Sequence, residues 1–143
     1  MNDKLILKLE LIHSKIGYIL ACLSSYSSLD LSKRINEIND AINLIIKSYI
    51  ENKQYFDIRN VISFREKLKE LESRLNSDEK VSLQGHKIAC LLFEVSVEIK
   101  MLLLDIEIDN EDVNEYLTLA SKYLYDCGRI INIEVLCFED KFK

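Results

Sequence analysis

The chain contains no proline and no tryptophan, and only three glycines. A many-stranded sandwich or barrel needs frequent tight reversals, and the residues that make them are missing. The same scarcity removes the glycine-built phosphate and nucleophile loops. No P-loop, no G-x-G-x-x-G and no G-x-S-x-G occurs. Cysteine is sparse and scattered, at Cys22, Cys90, Cys127 and Cys137, with no C-x-x-C pair at zinc-ligand spacing. Buried thiols are the expectation, and no metal or other cofactor is expected. Long apolar runs are also lacking. The most apolar stretch, Ile88 to Leu104, carries Glu94, Glu98 and Lys100, too charged for a bilayer span. The opening residues MNDKLILKLELIH interrupt their apolar positions with acids and lysines, so no signal-peptide core is expected and a cytoplasmic location is.

Positive charge is in deficit. Nineteen Lys and Arg face twenty-four Asp and Glu, for a net charge of −5. The densest bases, Arg65, Lys67, Lys69 and Arg74, alternate with Glu66, Glu70 and Glu72, which suits a salt-bridged helix surface rather than a nucleic-acid footprint. Neither nucleic acid nor membrane is therefore an expected partner.

What is present is helical periodicity in 143 residues that are 48% hydrophobic. A chain of this length buries roughly 70% of its unfolded surface as one domain. Leu5, Leu9, Ile12, Ile16, Ile19 and Leu23 step by three and four, one face of a first helix that stops at the serines of 24–28. Asp30 can cap a second helix, whose stripe is Leu31, Ile35, Ile38, Ile42, Ile45 and Tyr49. Asp57 can cap a third, where Val61, Phe64, Leu68, Leu71 and Leu75 form a short seam suited to an antiparallel bundle contact. A fourth, from about Asp78 to Leu104, is apolar nearly all round, with Lys87, Glu94 and Glu98 as a narrow polar strip. Such a helix belongs in the middle of the fold. Asp109 or Asn110 can cap a fifth, with Val113, Leu117, Ala120 and Leu124 inward and Gly128 at the position just past its end. In the tail, 129–143, Ile131, Ile133, Val135 and Cys137 alternate like a strand, while Asn132 can cap a short sixth helix; with no other strand present, the helix is favoured. The expected fold is a single-domain all-α bundle over residues 1–143, of five helices or six, around the segment 78–104.

Catalytic material is thin. Glu10 and His13 have the E-x-x-H spacing of helical di-iron sites, but that site needs a second such pair, and His86 has Leu83 three residues before it. Glu10 also points about 130° away from its helix's apolar face. The acids Asp105, Glu107 and Asp109 resemble the start of a calcium loop, but Asn110 and Tyr116 occupy the positions that need glycine and a bidentate acid. His13 and His86 are the only side chains that titrate near neutrality without a shift, and no local motif joins either to a nucleophile.

The pattern therefore predicts a non-catalytic acidic module that binds another protein. The candidate contact residues are Asp105, Glu107, Asp109, Glu111, Asp112 and Glu115, a run without a single base, followed by Tyr116 and Tyr123 as aromatic anchors. The sharpest form of this reading is an immunity-type or antitoxin-type inhibitor that neutralises a basic enzyme or toxin. One alternative is a self-associating structural or adaptor subunit, joined through Leu7, Leu11 and Tyr18, a second apolar stripe opposite the main one on the first helix. The other is a small helical enzyme using His13 or His86.

Overall fold

A computed structural model describes residues 2–24, 30–75 and 83–136. Five helices follow one another: α1 (Asp3–Leu23), α2 (Leu31–Glu51), α3 (Ile58–Glu72), α4 (Lys87–Asp105) and α5 (Glu111–Leu136). No strand occurs among the described residues, and the five helices share one apolar core. None of the described helices is long and apolar enough to cross a membrane.

The stripes read from the sequence are the buried faces. On α1 the buried residues are Leu5, Leu9, Ile12, Ile16, Ile19 and Leu23. On α3 they are Val61, Phe64, Leu68 and Leu71. Each Leu or Ile so enclosed contributes roughly 1.5–3 kcal/mol relative to exposure. Local chemistry sets the helix ends. The Asp57 side chain accepts the Arg59 N–H at 2.9 Å, while Asn60 reaches back to the Asp57 N–H, a reciprocal capping box. Asn110 starts α5 by accepting from the N–H groups of Asp112 and Val113. Asp30 stands at the start of α2, but its side chain makes no capping bond there and instead lies 3.7 Å from Arg74.

Three boundaries differ from the sequence reading. First, α4 begins at Lys87, not Asp78. Residues 78–82 lie outside the described ones, and 83–86 are not helical. His86 is the N-cap, its Nδ1 accepting the Ile88 N–H at 3.0 Å. Second, α5 does not end at Gly128 but runs through it to Leu136. A Cβ on Gly128 would lie 2.5 Å from Cε1 of Phe93, so the glycine marks a close approach of α4 and α5 rather than a helix end. Third, Asn132 caps no separate sixth helix. It sits buried inside α5, where Oδ1 accepts the His86 N–H at 2.9 Å and Nδ2 donates to the Gln84 carbonyl at 2.8 Å. The strand alternative for 131–136 gives way to helix; Cys137 and the rest of the tail lie outside the described residues.

The longest shared flank is between α4 and α5, and small residues make it tight. Ser96 Oγ donates to the Ser121 carbonyl at 2.7 Å, and Ser121 Oγ donates to the Ser96 carbonyl at 3.0 Å. Both serines are buried, so this reciprocal pair satisfies polar groups that water cannot reach. α4 is not enclosed all round as its sequence suggests: Ile88, Leu92, Val95, Ile99 and Leu102 are buried, but Val97 and Met101 on its other face are exposed. α5 is more closely enclosed, and every residue from Asp126 to Asn132 is buried. Among them the Asp126 carboxylate takes one hydrogen bond, from Lys122 at 3.1 Å, and its Oδ2 has no partner. Burial pushes the Asp126 carboxyl above the usual carboxylate range.

The cap on α4 predicts a pH dependence. Burial and the neighbouring Lys87 hold the His86 imidazole below its ordinary pKa, and Nδ1 can accept only when it carries no proton. The unfolded chain binds that proton more readily. The cap's contribution is therefore full above the unfolded value, near pH 6.5, and is lost as pH falls through the lower folded value. Thermal melts followed by circular dichroism are expected to show Tm falling on acidification below about pH 6.5. His86→Asn keeps a capping oxygen that does not titrate, so it flattens that slope. An unchanged slope in the variant would refute the assignment.

Candidate functional site

Lys8 pairs with Asp105 at 3.2 Å, and Lys15 pairs with Glu98 and, at 3.5 Å, with Glu94. These contacts set α1 and α4 antiparallel and side by side. The Glu98 hydrogen bond is the main reason the Lys15 ammonium is pushed above its usual pKa. The polar strip of α4 thus faces a lysine row on α1 across a narrow seam. Outside that seam, on the solvent side of both helices, stand large apolar residues. α1 presents Leu7, Leu11 and Tyr18, and α4 presents Val97, Met101 and Leu104, the last 87% exposed. The register set by the lysines brings Leu7 about level with Leu104, and Leu11 about level with Met101. A soluble helix normally gives such positions to polar residues, so six apolar side chains on one two-helix face form a patch that needs an explanation.

The acidic run begins where this face ends. Asp105 closes α4 beside Leu104, and Glu107, Asp109 and Glu111 follow, all exposed. Two of the predicted contact residues are already engaged: Asp105 with Lys8, and Glu115 with Arg65 of α3. Glu107, Asp109, Glu111 and Asp112 make no ion pair with any described residue. The unpaired carboxylates therefore sit on the α4–α5 connection and the first turn of α5, where the helix's positive end also favours them.

Tyr116 and Tyr123 are not surface anchors. They are 4% and 1% exposed, and their rings enclose Phe64, with ring centroids 4.7 and 5.2 Å from it. Phe56 meets Tyr116 edge-on at 5.1 Å. The reason is the helical period: both tyrosines share the inward face of α5 with Val113, Ala120 and Leu124. That signal is present in the sequence and outweighs the acids beside them. Burial pushes both phenols well above their ordinary pKa. Both line a groove between α2 and α3, together with Arg34, Glu37, Asp40 and Lys67.

The other sequence candidates stay apart. Glu10 is exposed and His13 half-buried, and among the described residues no three His, Cys, Asp or Glu side chains are grouped to hold a metal ion. Cys22, Cys90 and Cys127 form no disulfide, and burial raises the Cys127 thiol. Lys67 of α3 binds Glu37 of α2, and Arg74, in the turn after α3, binds Glu134 of α5, so these bases meet acids on other helices rather than only neighbours along their own. A search of known family models finds none that matches this chain, and a search of curated proteins finds no match either.

Proposed function

We propose that the chain is a non-catalytic protein-binding module that takes a basic partner on the α1/α4 face. The observation that carries this reading is the apolar patch of Leu7, Leu11, Tyr18, Val97, Met101 and Leu104, bordered at one end by the unpaired acids Glu107, Asp109 and Glu111. An apolar centre with a charged rim is how protein interfaces are commonly built. The rim supplies long-range attraction that speeds encounter with a basic surface, and the apolar residues slow release. An inhibitor of immunity type, which occupies and silences a basic enzyme or toxin, is the most specific form of this reading. Self-association through the same patch is the second form, supported by the same exposed residues on α1. The enzymatic alternative draws no support from His86, whose Nδ1 serves as the α4 cap.

Two sets of variants test the proposal against a partner recovered from native lysate. Leu11→Glu with Met101→Glu is expected to weaken binding at least about tenfold, with an unchanged melt. Glu107→Gln, Asp109→Asn and Glu111→Gln together are expected to slow association at low salt and to leave dissociation nearly unchanged. A partner retained equally by both sets would overturn the reading. Sedimentation of the chain alone separates the two forms: a monomer across the concentration range removes self-association, and a dimer lost in Leu11→Glu, Met101→Glu establishes it.

A further inference from the structure

The groove between α2 and α3 shares no residue with the α1/α4 face. It encloses about 600 Å3, and Phe64, Tyr116 and Tyr123 lie beneath it. Both tyrosines are more than nine-tenths buried, yet neither hydroxyl bonds to a described residue. A buried phenol normally finds a partner, and each of these lines the groove with a donor and two lone pairs that no described residue engages.

The charges along the walls decide what the groove would accept. Three cations line it, and each is already paired: Arg34 with Glu70 at 3.3 Å, Lys67 with Glu37, and Arg59 with Asp57 at 2.9 Å. Of the lining carboxylates, Asp40 alone makes no ion pair with a described residue, and it is exposed to the groove's solvent. The three lining carboxylates balance the three lining cations, and Asp40, the one without an ion pair to a described residue, lies close enough to Tyr116 to help raise that phenol. An anion would meet cations whose positions are taken, while a cation would meet a carboxylate that no described residue engages.

We infer that this groove is a binding site for a primary alkylammonium group, held by the Asp40 carboxylate and the Tyr116 hydroxyl above the aromatic floor. An ammonium has three donors and no acceptor, which suits acceptors on different walls: Asp40 on α2, the Ser63 hydroxyl on α3 and Tyr116 on α5. Ring faces add cation–π attraction at such a site. A guanidinium pairs side-on with a single carboxylate through a planar fork, so its donors lie in one plane, whereas the tetrahedral donors of an ammonium can address acceptors on three walls.

Amide correlation spectra of the full chain, titrated with n-butylamine, acetyl-Gly-Lys-Gly amide, n-butylguanidine and acetate, test the inference. Saturable shifts at Asp40, Ala41 and Ser63 are expected with both amines, weaker with the guanidine and absent with acetate. Tighter binding of the free amine assigns the site to a small molecule; tighter binding of the peptide assigns it to a lysine side chain. Asp40→Asn, a surface change, is expected to weaken binding about tenfold, equal to roughly 1.4 kcal/mol. Tyr116→Phe is expected to weaken it about threefold, with Tm serving as the check on folding. Shifts that do not saturate, or that survive Asp40→Asn undiminished, would overturn the assignment.

Discussion

Replacing Gly128 by valine is expected to destabilise the bundle by about 3 kcal/mol, a fall in Tm of about 10 °C. The reason lies in the contact with Phe93. A Cβ at position 128 would stand 2.5 Å from Cε1 and 2.9 Å from Cδ1 of that ring. The ring is itself buried and has little room to turn away. Valine also adds two γ-methyl groups with one strongly preferred rotamer. Helix propensity works the other way, because valine is a slightly better helix residue than glycine, but only by a few tenths of a kcal/mol. Sterics should therefore dominate. Two companions make the result specific. Phe93→Leu shortens the opposing side chain, so Gly128→Val in that background is expected to lose only about 1 kcal/mol, a coupling that a double-mutant cycle measures. Gly17 lies in the middle of α1, where an added Cβ would meet nothing within 4 Å. Gly17→Ala is therefore expected to stabilise by about 0.5–1 kcal/mol. Urea denaturation of the parent and the four variants checks all three values. A Gly128→Val protein as stable as the parent would contradict the close approach of α4 and α5.

Asn132→Leu is expected to destabilise by about 2–3 kcal/mol and to loosen the first turn of α4. The side chain holds two backbone groups at once, the His86 N–H and the Gln84 carbonyl. Leucine has the same branching but is bulkier and offers no hydrogen bond, so both groups lose this partner. His86 would then no longer be anchored, and its cap on Ile88 would weaken with it. The space is equally constrained from the other side. Gly85 has φ of 122°, and a Cβ there would collide with the Asn132 carboxamide. Hydrogen exchange distinguishes this local effect from a general loss of stability. The amides of Ile88, Ala89 and Cys90 are expected to exchange faster in the variant than global unfolding accounts for, while those of α1 keep pace with the global value. Uniform acceleration across the chain would mean that Asn132 is only a packing residue.

The elements most legible in the sequence were those whose information is local. The three-and-four spacing from Leu5 to Leu23 and the Asp57 cap need only neighbours along the chain, and both appear in the structure as read. The misread points depend on residues far away. Gly128 resembles a helix terminator until Phe93, thirty-five positions earlier, is seen against it. Asn132 resembles a cap because its true partners, at positions 84 and 86, belong to a turn before another helix. Tyr116 and Tyr123 differ from these, because their placement is local: they follow the inward period of α5, which prevails over the acids beside them. Of the candidate site, the acidic run and the Leu7, Leu11, Tyr18 stripe were readable. Their joining with Val97, Met101 and Leu104 into one face was not, because it depends on the antiparallel register that Lys8 and Lys15 set.

The position of α5 in the chain has a consequence for biosynthesis. Its 26 residues pack against α2, α3 and α4, yet they are translated after all of them. Until it leaves the ribosome, α1 can cover only part of the inward sides of α2 and α4, α3 lacks its main neighbour, and the nascent polypeptide exposes apolar surface. Acquisition of the native state should then await release of α5, and a stalled chain lacking it should be a preferred client of chaperones that grip exposed apolar segments.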